Sequence, residues 1–209
     1  PATVVGLIFC DIPGDHFEEV ASGPTYFDSS TAHDATAVLE KYQLTNIEVH
    51  ETPKEQYFFE RVQNVRVVSN TTALDAMEKT ASQMGYSVIR AGSDLFDTPP
   101  QLIDKLFEHL APHTAVIAAG EPSLTVTHKG GKGGRCQYVA LQSLTRVQEE
   151  DTFLAFASDG IDNTEAAGAI ADKAIHDRVP ELGLSIKDRL ADYDTYSFFE
   201  KTDGLIMTG

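Results

Sequence analysis

The chain has 209 residues, with 32 Asp and Glu against 16 Lys and Arg, a formal net charge of −16. That length holds one large domain or two small ones around a real core. A surface this acidic repels nucleic acid and anionic lipid, no apolar run reaches the ~18 residues of a transmembrane helix, and two cysteines, Cys10 and Cys136, cannot staple a fold of this size. The expectation is a reduced, cytoplasmic protein that partners neither nucleic acid nor membrane.

Thr3 to Phe9 is a nearly continuous apolar run, the pattern of a buried strand. Ser30 is placed to cap a helix whose apolar residues Ala35, Val38, Leu39 and Tyr42 share one face. A polar stretch from Thr45 to Gln56 follows, and the weakest patterning, near Thr52 to Arg61, marks the expected domain boundary. Val65 to Ser69 reads as a strand. Asn70 or Thr71 then caps a helix carrying Leu74, Met77, Ala81 and Met84, which Gly85 stops. Tyr86 to Arg90 is the next strand. Thr98-Pro99-Pro100-Gln101 has the form of a capping box with Pro at the first helical position, ahead of Leu102, Ile103, Leu106 and Leu110. Ala115 to Ala119 is a buried strand and Ser123 to His128 alternates like an adjoining one. Gln137 to Val147 reads as helix, Phe153 to Ala157 as strand and Ala166 to Ile175 as helix. Alternating strands and helices imply an α/β fold with a largely parallel sheet. Pro1 opens almost directly on a strand and Met207-Thr208-Gly209 follows an apolar run, so both ends read as cuts in a longer protein.

Ligands of open α/β sheets sit beyond the C-terminal ends of strands. Three strands here run into polar, Gly-containing turns, which carry Asp11 and Asp15, Glu121, and Asp159 and Asp162. The segment His128 to Arg135 is the sharpest local signal. Four glycines let a backbone approach a ligand, a helix follows immediately, and Lys129, Lys132 and Arg135 concentrate positive charge in an acidic chain. Arg135 can grip a phosphate or carboxylate with two parallel hydrogen bonds. The Walker A and dinucleotide patterns are both absent. Ser22 and Gly23 form a second Gly-associated turn that could hold a phosphate or a hydroxyl. The bland alternatives are solvated turns for these loops and an inert thiol for Cys136. Seven histidines lack metal-ligand spacing. Carboxylates beside a basic glycine loop suggest phosphoryl transfer, with Mg²⁺ held by Asp.

These motifs resemble the glycerate 2-kinase family, also called the MOFRL family. Residues 9–35 (FCDIPGDHFEEVASGPTYFDSSTAHDA) are similar to its SDV-x-GD, IASGPT and D-x-x-T-x-x-DA stretch. Residues 115–146 resemble GGET-TV…GKGGRNQE, residues 153–172 resemble AGTDGIDG…AAGA, and Asn70 to Ala76 a looser fourth motif. The resemblance implies a remnant of a Rossmann-like domain over residues 1–62, followed by a second α/β domain with a largely parallel or mixed sheet over residues 63–209, truncated at its end. It implies transfer of the γ-phosphate of ATP to D-glycerate with Mg²⁺, in a cleft between two domains, and leaves a homodimer open. Position by position, Asp15, Arg135 and Asp159 are the expected catalytic residues. Lys129, Gly131, Lys132, Gly133, Gly134, Glu121, Ser22 and Gly23 are expected at the nucleotide or substrate, and Asp159, Asp162 and Asp11 at the metal. Some relatives are labelled hydroxypyruvate reductases, so an NAD(P)H-dependent reductase and a non-catalytic metabolite binder are the alternatives. The chain departs from the family at Ala119, Pro122, Cys136 and Tyr138, and Gly92-Ser93-Asp94-Leu95 lacks an expected Arg. A substrate-binding lysine would lie outside the chain, which is therefore expected to be inactive by itself. Glu121, Arg135 and Asp159 are expected within roughly 10 Å of one another, and the glycine loop is expected to be mobile without an anion.

Overall fold

A computed structural model of the chain describes residues 2–209. The chain divides into two compact units, Pro1–Ala73 and Leu74–Gly209.

In the first unit, β1 (Val4–Phe9) pairs in parallel with β2 (Val62–Val68), Val4 lying opposite Val62 and Ile8 opposite Arg66. This pairing binds residues 62–68 to the first unit, so the division falls beyond the polar stretch 52–61 and inside the following helix. Between the strands lies α1 (Ala32–Lys41). Its cap is Thr31, one residue later than expected. Thr31 and Asp34 form a reciprocal capping box, while the Ser30 hydroxyl bonds Asp28 instead. Phe17 is buried with the Arg66 guanidinium over its ring. Val5, Leu7 and Phe9 of β1 are exposed, against the expectation of a strand covered on both faces.

The helix α2 (Asn70–Gln83) straddles the division. Ser69 caps it, its hydroxyl accepting from Thr72 N–H. In the second unit, β3 (Ser87–Leu95) pairs in parallel with β4 (Thr114–Gly120), joined by α3 (Pro99–Glu108). The capping box of Thr98 and Gln101 is present as expected, with Pro at the helix start. After α4 (Arg135–Ser143) come β5 (Thr152–Phe156) and β6 (Gly168–Asp172), antiparallel to each other. Helices α5 (Lys173–Glu181), α6 (Ile186–Ala191) and α7 (Thr195–Thr202) lead to β7 (Leu205–Ile206), which pairs antiparallel with β6. The architecture is α/β, with parallel pairs and one antiparallel sheet of order β5-β6-β7.

The expected helix over Ala166 to Ile175 is a central strand followed by a helix. Alanine favours helix, but Ala169 and Ala171 are fully buried in β6 between two strands and under α4. A Cβ at Gly168 would overlap the backbone at Ala155 and Phe156, so close strand approach decides the local structure. Asp172 ends the strand by capping α5 at Ile175 N–H, 2.8 Å. Ser123 to His128 is likewise an irregular strap with no strand among its residues. The main core joins Leu141 and Leu144 of α4 to Ala169, Ala171, Phe198 and Phe199. A second cluster joins Leu95, Leu102, Ile103 and Val139, so opposite faces of α4 are both buried.

Candidate active site

The site is built at the start of α4. Glu121 follows β4 directly and is fixed by its N–H donating to Leu95 O, 2.8 Å. The strap from Pro122 to Gly134 then leads to Arg135, the first residue of α4. Its guanidinium returns to Glu121, with Nη1 2.5 Å from Oε1. Both side chains of this pair are 47% exposed, so an incoming anion has access to Arg135.

Gly134 is the N-cap of α4 and brings no capping side chain. Asp162 supplies one from the loop after β5. Its Oδ1 accepts from Cys136 N–H at 3.1 Å and its Oδ2 from Gln137 N–H at 2.8 Å. Gln137 is fully buried and donates back to Asp162 O and to Thr164 Oγ1. Asp162 is itself buried. The role the structure shows for it is a helix cap, each oxygen accepting one N–H of the helix it anchors. Asp159, by contrast, is exposed on the turn just after β5, and its Oδ1 accepts Ile161 N–H at 3.0 Å. Cys136 reports how these groups gather. Burial first, then the Asp162 carboxylate, push its thiol up to about 12, while Arg135 pulls it down and Asp159 adds to the rise. This direction agrees with the inert reading of the Cys136 thiol.

Two N–H groups of the glycine loop are taken by the chain itself. Gly131 N–H donates to Asp192 O at 2.7 Å and Lys132 N–H to Asp194 Oδ1 at 3.3 Å, while Lys132 O accepts Tyr196 N–H at 2.9 Å. A Cβ at Gly130 would lie 2.9 Å from Tyr193 Cβ, and one at Gly131 would lie 2.6 Å from Asp194 Cγ. At Gly133 and Gly134 it would overlap Thr195 and Asp162. The corner between α6 and α7 presses on this loop, and the glycines make that approach possible. These contacts tie the loop to the α6–α7 corner through Gly131 and Lys132. Lys132 is paired within the chain through its side chain as well. Its ammonium lies 2.6 Å from Glu165 and 3.5 Å over the Tyr196 ring. Hydrogen bonding from Lys132 holds the Glu165 carboxyl down at about 2. Lys129 is exposed.

In the first unit, Asp11 is exposed and Asp15 is half-buried with a left-handed backbone, φ 58°. Its Oδ2 accepts from the Thr71 hydroxyl at 2.7 Å, whereas its Oδ1 is buried with no hydrogen-bond partner among the described residues. Ser22 and Gly23 are both left-handed, and a Cβ at Gly23 would overlap Glu18 O. The glycine there serves a backbone turn. Among the described residues, no group of three or more His, Cys, Asp or Glu is placed to hold a metal, and no helix is long and apolar enough to cross a membrane.

Residues 114–209 match the MOFRL family, and residues 1–54 match a domain of unknown function, DUF4147. A glycerate 2-kinase from Pyrococcus horikoshii is 30% identical over 99% of this chain and 53% of its own length. A D-glycerate 2-kinase from Thermotoga maritima is 32% identical over 100% of this chain and 54% of its own. Over residues 114–209 the chain is thus similar to the MOFRL family. The crystal structure of the glycerate kinase from Thermotoga maritima superposes with a TM-score of 0.84 at 29% identity, covering 100% of this chain and 54% of that one. The chain thus spans about half the length of the relatives it matches. The MOFRL-matching segment contains Glu121, the glycine loop, Arg135, Asp159 and Asp162, whereas Asp11, Asp15, Ser22 and Gly23 lie in the other matched segment. Sequence reasoning missed Tyr193 and Asp194. Their only local signal was that of a helix start, and nothing in it pointed to a loop some sixty residues earlier.

Proposed function

We infer that the protein carrying this chain is a glycerate kinase, which transfers the γ-phosphate of ATP to D-glycerate as its Mg²⁺ complex. The observation that carries this reading is Arg135, accessible at the start of a helix whose dipole favours anions, and balanced by an exposed ion pair with Glu121. An arriving phosphoryl or carboxylate group would take Glu121's place on the guanidinium, so the cation is held in position before the ligand binds. The relatives named glycerate 2-kinase support the same reaction class.

Mg²⁺ on nucleotide phosphates needs only one or two protein carboxylates, so a preformed metal cage is not required. Asp159, exposed at the end of β5, fits such a ligand in the second unit. Asp15, with one buried oxygen left without a partner, is the corresponding carboxylate in the first unit, for a metal or for a hydroxyl proton. When bound, the metal would neutralise charge on the phosphates. Incubating the full-length protein with ATP, Mg²⁺ and D-glycerate tests the reading. ADP and phosphoglycerate should appear together in equal amounts. Absence of both, with oxidation of NADH by hydroxypyruvate, would move the protein to the reductase class.

A further inference from the structure

The strap from Pro122 to Gly134 joins the two members of the Arg135–Glu121 pair, and it has no regular structure of its own. It is nevertheless pinned along its length: Ser123 N–H donates to Asp97 O at 3.1 Å near its start, and three further ties follow. One is the pair itself. Another is the glycine loop, bonded through Gly131 and Lys132 to Asp192 and Asp194. The third lies midway, where the Tyr193 hydroxyl donates to Thr125 O at 3.2 Å and accepts from Thr127 N–H at 3.2 Å. The Tyr193 ring sits between His128 of the strap, 5.1 Å between centroids, and Tyr138 of α4, 6.0 Å. One side chain therefore touches the strap and the helix that presents Arg135.

The corner holding Tyr193 is rigid for reasons of its own. Tyr193 has a left-handed backbone, φ 51°, and its neighbour Asp194 is fixed by the Ser197 hydroxyl at 2.7 Å and by Arg189. Asp194 can then accept Lys132 N–H without moving. A non-glycine residue in this conformation persists where its surroundings determine it.

We propose that Tyr193, supported by Asp194, is a positioning residue for phosphoryl transfer: its hydroxyl clasps the strap so that Glu121 and Arg135 stay in register. This rests on the kinase reading for its catalytic consequence, although the clasp itself does not. Tyr193 touches neither Arg135 nor Glu121 by any hydrogen bond described above. It acts through the backbone that connects them, so removing its hydroxyl should loosen the strap while leaving the folded core intact.

The test is Tyr193→Phe in the full-length protein, which keeps the ring and removes the hydroxyl. Amide hydrogen exchange at Thr127 and Gly131 should rise about tenfold or more, with α4 and α7 amides unchanged. Unchanged exchange in the strap would overturn the proposal. Asp194→Asn is the second variant and should speed exchange at Lys132. In the kinase assay, Tyr193→Phe should lower kcat/KM about tenfold. That factor should shrink towards one in an Arg135→Ala background, because the two substitutions disable the same element. An equal factor in both backgrounds would make Tyr193 a general stabiliser and sink the positioning role. Should the parent protein transfer no phosphate at all, the kinase reading fails, and the exchange measurement alone decides the clasp.

Discussion

Cys136 stands between Arg135 and the buried cap, and its chemistry is set by both. With burial and the Asp162 carboxylate raising its pKa from 9.0 to about 12, the thiol stays neutral in the folded chain. The raised value favours folding below pH 9, where folded and unfolded thiols are both protonated. That contribution is lost as pH rises from 9 through 12, because only the unfolded thiol ionises there. Iodoacetamide at pH 8 should therefore leave Cys136 unlabelled until urea unfolds the chain. Labelling of the native chain at the rate of a free thiol would contradict the assignment. Asp162 accounts for two N–H groups of α4 that would otherwise be orphaned inside the protein. Asp162→Ala should cost about 2 kcal/mol, read as a lowered denaturation midpoint, with Asp162→Asn milder because one acceptor oxygen remains. A midpoint unmoved by Asp162→Ala would show that the cap is not what holds the helix.

Among the elements, the glycine loop changes meaning most. Its composition suggested a backbone left bare for an anion, while the structure shows it laid against the α6–α7 corner. Gly131→Ala should cost about 1–3 kcal/mol by forcing Asp194 away from Lys132 N–H. Lys129→Ala, on the same loop but exposed, should change stability by no more than about 0.5 kcal/mol. Equal losses from both would contradict the packing account. The capping box at Thr98, the strands at the ends of β4 and β5, and the helix beginning near Arg135 were all legible from local pattern. What pattern could not carry was tertiary pairing. The strand β6 hides in an alanine run because its neighbours demand small side chains, and Asp162 caps a helix that starts 27 residues before it (162 − 135). The strap failed as a strand for a similar reason, since its partner is the Tyr193 side chain and not a neighbouring strand.

At the scale of the molecule, the kinase reading asks a chain with a net charge of −16 to hold anionic substrates. On that reading Arg135, exposed beside Glu121 at the start of α4, is the cation that would meet it, while Lys132 pairs with Glu165 and lies over the Tyr196 ring. Among the described residues, both buried apolar clusters lie within the second unit. A substitution at Arg135 should therefore affect chemistry and leave that core alone. The most direct measurement is steady-state phosphoryl transfer by the full-length protein with ATP, Mg²⁺ and D-glycerate, comparing the parent with Arg135→Lys. Lysine keeps the charge and removes the two-pronged grip, so kcat/KM should fall about 100-fold with an unchanged denaturation midpoint. Phosphoryl transfer by Arg135→Lys at the parent's rate would contradict the assignment of this site.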